Sequence, residues 1–165
     1  MRCDLQRQSV VSDLSLNSYI VRRLGIRSDD LRSLDKRQRA RYFLSRVFFR
    51  PFTAPSLTLF WRYWNPVYGY YLSKYIYRPC RMILPHSICV LVTFAFSGFF
   101  LHDIFGWLAN GQLTPPYITT WFALIALGIV LSEKLDLRFD GLAPGFRVAL
   151  HVSYLAATFL LMRII

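Results

Sequence analysis

From His86 to Trp107 the chain runs for twenty-two residues without a lysine, an arginine or a glutamate. As a helix rising 1.5 Å per residue, this run is about 33 Å long, enough to cross the hydrocarbon core of a bilayer. No other feature limits the fold as strongly, because so long an apolar helix needs lipid around it. Near its end it reads Ser97-Gly98-Phe99-Phe100-Leu101-His102-Asp103. A titratable side chain in hydrocarbon is costly, and it marks a function or a partner. His102 lies about 24 Å along a helix that starts at His86, in the outer half of a bilayer. At α-helical spacing its face holds Ala95, Gly98 and Gly106, while Asp103 points about 100° away. By itself the pattern fits close helix packing through small residues as well as it fits a site.

The charge distribution agrees with a membrane protein. Residues 1–86 hold sixteen of the twenty lysines and arginines against five aspartates, and residues 87–165 are neutral overall. Two more spans follow the first, at about 115–131, with Thr114 as its cap, and at about 146–165. The connection between the first two spans has no lysine or arginine, and the next carries Lys134 and Arg138. The positive-inside rule then puts the N-terminus in the cytoplasm and the C-terminus outside. The membrane is the plasma or inner membrane in a bacterium and the endoplasmic reticulum in a eukaryote. Trp107, Tyr117 and Trp121 suit an interfacial aromatic belt.

Residues 1–50 form a basic region and 51–165 the membrane domain. A helix is expected to start at the capping Ser28 and to end before Pro51. Its second half, Lys36 to Arg50, interleaves basic residues with Tyr42, Phe43, Leu44, Val47, Phe48 and Phe49, as a helix lying on an anionic membrane does. Nucleic-acid binding is not expected, since the adjacent spans explain the same charge. The N-terminus lacks the apolar core of a signal peptide. The three cysteines, Cys3, Cys80 and Cys89, have neither metal nor redox spacing and read as free thiols. No cluster with metal-ligand spacing and no glycine-rich phosphate loop is present.

Between the basic region and the first span lies an aromatic segment, Leu57 to Tyr77, interrupted at Asn65-Pro66. Proline keeps Asn65 out of the helical region and suits the first turn of a new helix. The segment therefore reads as a broken pair of short helices, re-entrant or interfacial. One ends near Trp64, and the other is capped by Asn65 and closed by Arg78-Pro79. The expected fold is an all-α integral membrane protein with about three transmembrane helices, this broken pair and the basic N-terminal helix.

The ordered run Phe60-Trp61-Arg62-Tyr63-Trp64-Asn65, then Tyr75-Ile76-Tyr77-Arg78-Pro79, then Ser97-Gly98 and His102, resembles the membrane-bound O-acyltransferase family. Its wax-ester and acylglycerol-forming branch is the most similar. The resemblance covers about Leu57 to Trp107. His102 stands five residues after Ser97, where family members often have four. The resemblance implies acyl transfer from acyl-CoA, as donor substrate rather than cofactor, to a hydroxyl of a lipid or alcohol. His102 would be the general base, which burial would keep neutral, and Asn65 would orient it or stabilise the oxyanion. Trp61, Arg62, Trp64, Tyr77, Arg78 and Gly98 would contact substrate, and Arg62, Lys74, Arg78 and Arg81 would hold CoA phosphates. The same four cations also serve inside-positive topology. Family enzymes carry more spans before the motif, so the resemblance implies a compact relative, a degenerate remnant, or a chain that works as a homo-oligomer or with a second membrane chain. A non-catalytic subunit or anchor on the same scaffold, or a lipid-surface adaptor, is the alternative.

In the last span, Arg147, His151, Tyr154 and Thr158 fall on one helical stripe. It reads as structural or interfacial; the alternatives are the acceptor end of a tunnel, or a pairing of Arg147 with Glu133 or Asp136.

Overall fold

A computed structural model describes residues 16–26 and 35–164, and among these every regular element is helical. Helix α1 (Leu16–Leu24) was not anticipated from the sequence. It packs on the aromatic segment, with Tyr19 edge-on to Tyr70, ring centroids 5.4 Å apart. Helix α2 (Lys36–Phe52) starts with a capping box: the Asp35 carboxylate accepts from the Gln38 amide at 2.8 Å, and Gln38 accepts from the Asp35 amide at 3.0 Å. The expected start at Ser28 lies outside the described residues. Pro51 sits inside the last turn of α2 rather than beyond it. There its missing N–H removes only one helical bond, and the Thr53 amide closes the turn on the Phe49 carbonyl at 3.1 Å.

The aromatic segment forms the expected broken pair. Helix α3 (Leu57–Tyr63) is capped by Ser56, and α4 (Pro66–Leu72) follows. Asn65 between them has φ +40°, a left-handed conformation that asparagine tolerates better than most residues, and its side chain accepts from the Tyr68 amide at 3.3 Å. The second arm does not close at Arg78-Pro79. It widens into a π-turn (Ser73–Tyr77) and continues as α5 (Arg78–Arg81). In the wide turn the Arg78 amide bonds to the Ser73 carbonyl, five residues back, and Pro79 follows at a position where the ladder is already shifted.

Among the described residues, three helices are long and apolar enough to cross a membrane. The first, His86–Asn110, is α6 (His86–Gly98), a π-turn (Phe99–Asp103) and α7 (Ile104–Asn110). The second is α8 (Tyr117–Lys134) and the third α9 (Pro144–Ile164). The first runs past the expected 86–107, the second is displaced towards the C-terminus of the expected 115–131, and the third starts before the expected 146–165. Thr114 does not cap α8; its hydroxyl and carbonyl instead accept from the Trp107 indole at 3.2 and 2.9 Å.

Leu57, Val90, Ile125, Ala126, Ile129 and Val130 form the buried core, where α3 meets the first and second spans. Lipid tails are as apolar as these side chains, so close packing rather than water exclusion holds such helices together. Gly98 shows how close. A Cβ there would stand 2.6 Å from the Thr119 Cα, so the two backbones touch. The polar stripe of α9 faces the rest of the bundle. Tyr154 donates to the Ile125 carbonyl and Thr158 accepts from the Trp121 indole at 3.1 Å. Arg147 pairs with neither Glu133 nor Asp136. Its guanidinium donates instead to the carbonyls of Asp140 and Leu142 in the loop before α9 and of Thr53 at the end of α2. His151 is fully buried and stacked on Phe60, ring centroids 5.0 Å apart.

Candidate functional site

The broken pair α3–α4 runs out along the first span and back. Thr58, near its beginning, donates to Glu133 at 2.8 Å, and Glu133 in turn bonds His86 at 2.8 Å. Midway, Trp61 packs edge-on against Phe94, 5.3 Å between centroids. Just past the turn, the Tyr68 ring is 6.5 Å from that of His102. At the end of the return arm, Tyr77 meets His86 at 2.7 Å. The turn at Asn65-Pro66 thus lies at the level of His102, and both ends lie at the level of His86. Irregular backbone at that depth is tolerated where it lines a cavity, and one is present.

This cavity has a volume of about 400 Å³. Asn65 and His102 both line it, as do Trp61, Arg62, Trp64 and Tyr77. Arg78 and Gly98 lie outside its lining. The first span presents His86, Val90, Thr93, Phe94, Ser97 and His102 to it. An α-helix would continue the step from Ser97 to Leu101. The π-turn over Phe99–Asp103 holds one more residue, so His102 takes the place on the stripe that Leu101 would have. The five-residue spacing from Ser97 is absorbed there. For the same reason His102 does not share a face with Gly98, contrary to the α-helical expectation; Gly98 and Asp103 turn together towards Thr119.

His102 is exposed, not buried. Its ring is held edge-on by Tyr68 and by Phe122, at 6.5 and 5.3 Å, and makes no hydrogen bond among the described residues. Among the described residues only α4 and α8 place rings against it, and the expected burial fails. Asn65 is also exposed. Its side-chain oxygen is engaged by the Tyr68 amide, which leaves the carboxamide N–H groups as donors. No bond joins Asn65 to His102, so a role in orienting the imidazole directly has no contact behind it. Trp61 has a buried indole N–H without a partner among the described residues.

Sequence reasoning missed the opposite end of the cavity. There Thr58, Glu133, His86 and Tyr77 form one hydrogen-bonded chain. Burial pushes the Tyr77 phenol above its ordinary value, against the opposing influence of Arg81. The Glu133 carboxylate can only accept, so His86 Nε2–H donates to it, and in the neutral imidazole Nδ1 is then left to accept from the Tyr77 hydroxyl. Apolar residues, among them Val90, Phe94, Phe122 and Ile129, lie between the two polar ends. No group of three or more metal-ligating side chains occurs among the described residues.

A histidine and an asparagine line one largely apolar cavity, carried by an aromatic broken helix pair and a π-turned span. The sequence model of the membrane-bound O-acyltransferase family matches residues 14–133. The chain belongs to the membrane-bound O-acyltransferase family. No curated protein and no solved structure matches it. Membership and the three apolar helices make this an integral membrane O-acyltransferase-family protein. The match takes in α1, the aromatic segment and the first two spans, which include every cavity-lining residue named above.

Proposed function

We propose that the chain transfers a fatty acyl group from acyl-CoA to the hydroxyl of a lipid or alcohol, in the manner of the wax-ester and acylglycerol-forming branch. His102 takes the hydroxyl proton as the oxygen attacks the thioester carbonyl. The Asn65 amide N–H donates to the oxyanion that forms. The carbon–sulfur bond then breaks, and the imidazolium returns its proton to the thiolate, giving ester and free thiol. Trp61, Arg62, Trp64 and Tyr77 line the path of the substrate, Gly98 sets the width of the span beside it, and Arg62 and Arg78 approach the donor's phosphates. The reaction uses no cofactor beyond the donor itself. The N-terminus lies in the cytoplasm and the C-terminus outside.

One observation carries this reading: Asn65 and His102, thirty-seven residues apart, line the same cavity. A positioned base contributes roughly 10²–10⁴-fold. His102→Ala should therefore lower transfer from labelled acyl-CoA by that factor in purified membranes at normal expression. Equal turnover in wild type and variant would overturn the reading.

A second reading rests on a different observation. Only 28, 28 and 17 per cent of the apolar stretches of the three spans is buried within the chain, and the His102 side of the cavity is open. On this reading the chain is a non-catalytic subunit or anchor, and a second copy or another membrane chain covers that side. Purification in mild detergent separates the two. A homo-oligomer that turns over excludes the second reading; an inactive chain with a co-purifying membrane protein supports it.

A further inference from the structure

Asp103 follows His102 directly and is buried, with 7% of its surface exposed. Its side chain does not line the cavity. It reaches the second span, where Oδ1 accepts from the Ile118 amide at 3.2 Å and Oδ2 accepts from the Thr119 amide and hydroxyl at 2.8 and 2.6 Å. The residue in the capping position of that span, Pro116, has no side chain that can accept. Asp103 thus caps a helix to which it does not belong, with its charge at the positive end of the helix dipole.

One turn further along the second span, Phe122 packs on the His102 ring at 5.3 Å. Two contacts therefore join the same pair of helical turns: Asp103 to Thr119, and His102 to Phe122. Without a hydrogen bond of its own, the His102 ring is placed by its backbone and by the two rings beside it. The Asp103 lock sets the first and one of the second. Gly98 lets the spans approach closely enough for the lock to close, since a Cβ there would strike the Thr119 backbone.

We propose that Asp103 is the positioning residue for His102, holding the π-turn against the start of the second span so that the imidazole faces the cavity at a defined angle. This inference rests on the reading of His102 as the base. Asp103 touches no substrate and moves no proton.

The test is a double-mutant cycle on the full chain in detergent or nanodiscs, measuring kcat and KM with labelled acyl-CoA for wild type, Asp103→Asn, His102→Ala and the double variant. A displacement of about 1 Å costs roughly a hundredfold in rate. Asp103→Asn should lower kcat by about that factor and leave KM within about twofold. In the His102→Ala background it should cost nothing further. Thr119→Val, which removes only the hydroxyl bond, should give a smaller fall in kcat, and Thr119→Ser should restore it. This pair decides the matter if Asp103→Asn fails to fold. Wild-type kcat in Asp103→Asn or in Thr119→Val, with His102→Ala impaired, overturns the inference alone. An equal loss from Asp103→Asn in both backgrounds also overturns it, because the effect would then bypass His102. Full activity in His102→Ala overturns the inference together with the reading beneath it.

Discussion

His86 and Glu133, forty-seven residues apart, join the first residue of one span to the end of the next through a 2.8 Å hydrogen bond. Thr58 adds the aromatic segment to the same carboxylate, and Tyr77 adds its return arm to the same imidazole. Four elements thus converge at this end of the cavity. The side chains of His86 and Glu133 are 42% and 29% exposed, so the pair is partly screened.

Glu133→Gln keeps the shape but removes the charge from both bonds. We expect a loss of about 1 kcal/mol, reduced from the buried value by solvent screening. The apparent melting temperature in detergent should fall by a few degrees. An unchanged melting temperature would mean that the chain does not tie the four elements together.

Tyr77→Phe tests whether burial holds the Tyr77 phenol in its protonated form. Burial raises the folded-state value of the phenol, so the folded state favours the protonated form. The stability this gives is fully present below about pH 10, the unfolded value, and is lost as pH rises through the higher folded value. Wild type should therefore lose stability above pH 10 faster than Tyr77→Phe does. Thermal denaturation of the two proteins between pH 8 and pH 11 would show it, and parallel curves would contradict it.

Gly98→Ala should push the first two spans apart, because the new methyl would meet the Thr119 backbone at 2.6 Å. Overpacking against backbone costs about 1–3 kcal/mol. Gly106→Ala, with nothing within 4 Å of the added carbon, should stay within about 0.5 kcal/mol of wild type. Melting temperatures of the two variants side by side test the contrast.

Asn65→Asp separates capping from chemistry. Aspartate keeps an acceptor for the Tyr68 amide and tolerates the left-handed backbone, but it has no N–H to donate. The fold should survive, while turnover should fall by about 10²–10³-fold, the usual cost of losing one oxyanion donor. Asn65→Ala, which also loses the cap, should in addition be less stable by about 1 kcal/mol. A fully active Asn65→Asp would assign Asn65 to the cap alone.

Much of the fold was legible because local chemistry decides it. The apolar runs read as spans, and Asn65-Pro66 read as a break with a capping asparagine. Legibility failed where partners come from afar. Helix α1 is only nine residues long, and its buried Tyr19 is explained by the aromatic segment it packs against. Glu133 and His86 each looked like an ordinary polar residue at a span end.

What the sequence determined by itself was a membrane-embedded, all-helical chain with Asn65 and His102 as the residues to bring together. Their types, their order and the apolar stretch around His102 are properties of the chain read in one dimension. What the tertiary structure alone decided was the face His102 presents. An α-helical reading puts it beside Gly98, whereas the π-turn over Phe99–Asp103 puts it on the stripe of Ser97 and Phe94. The sequence cannot show this, because a single extra residue in a helix is accommodated only where a neighbour holds the widened turn. Here Asp103 holds it, bonded to a helix that begins fourteen residues later at Tyr117.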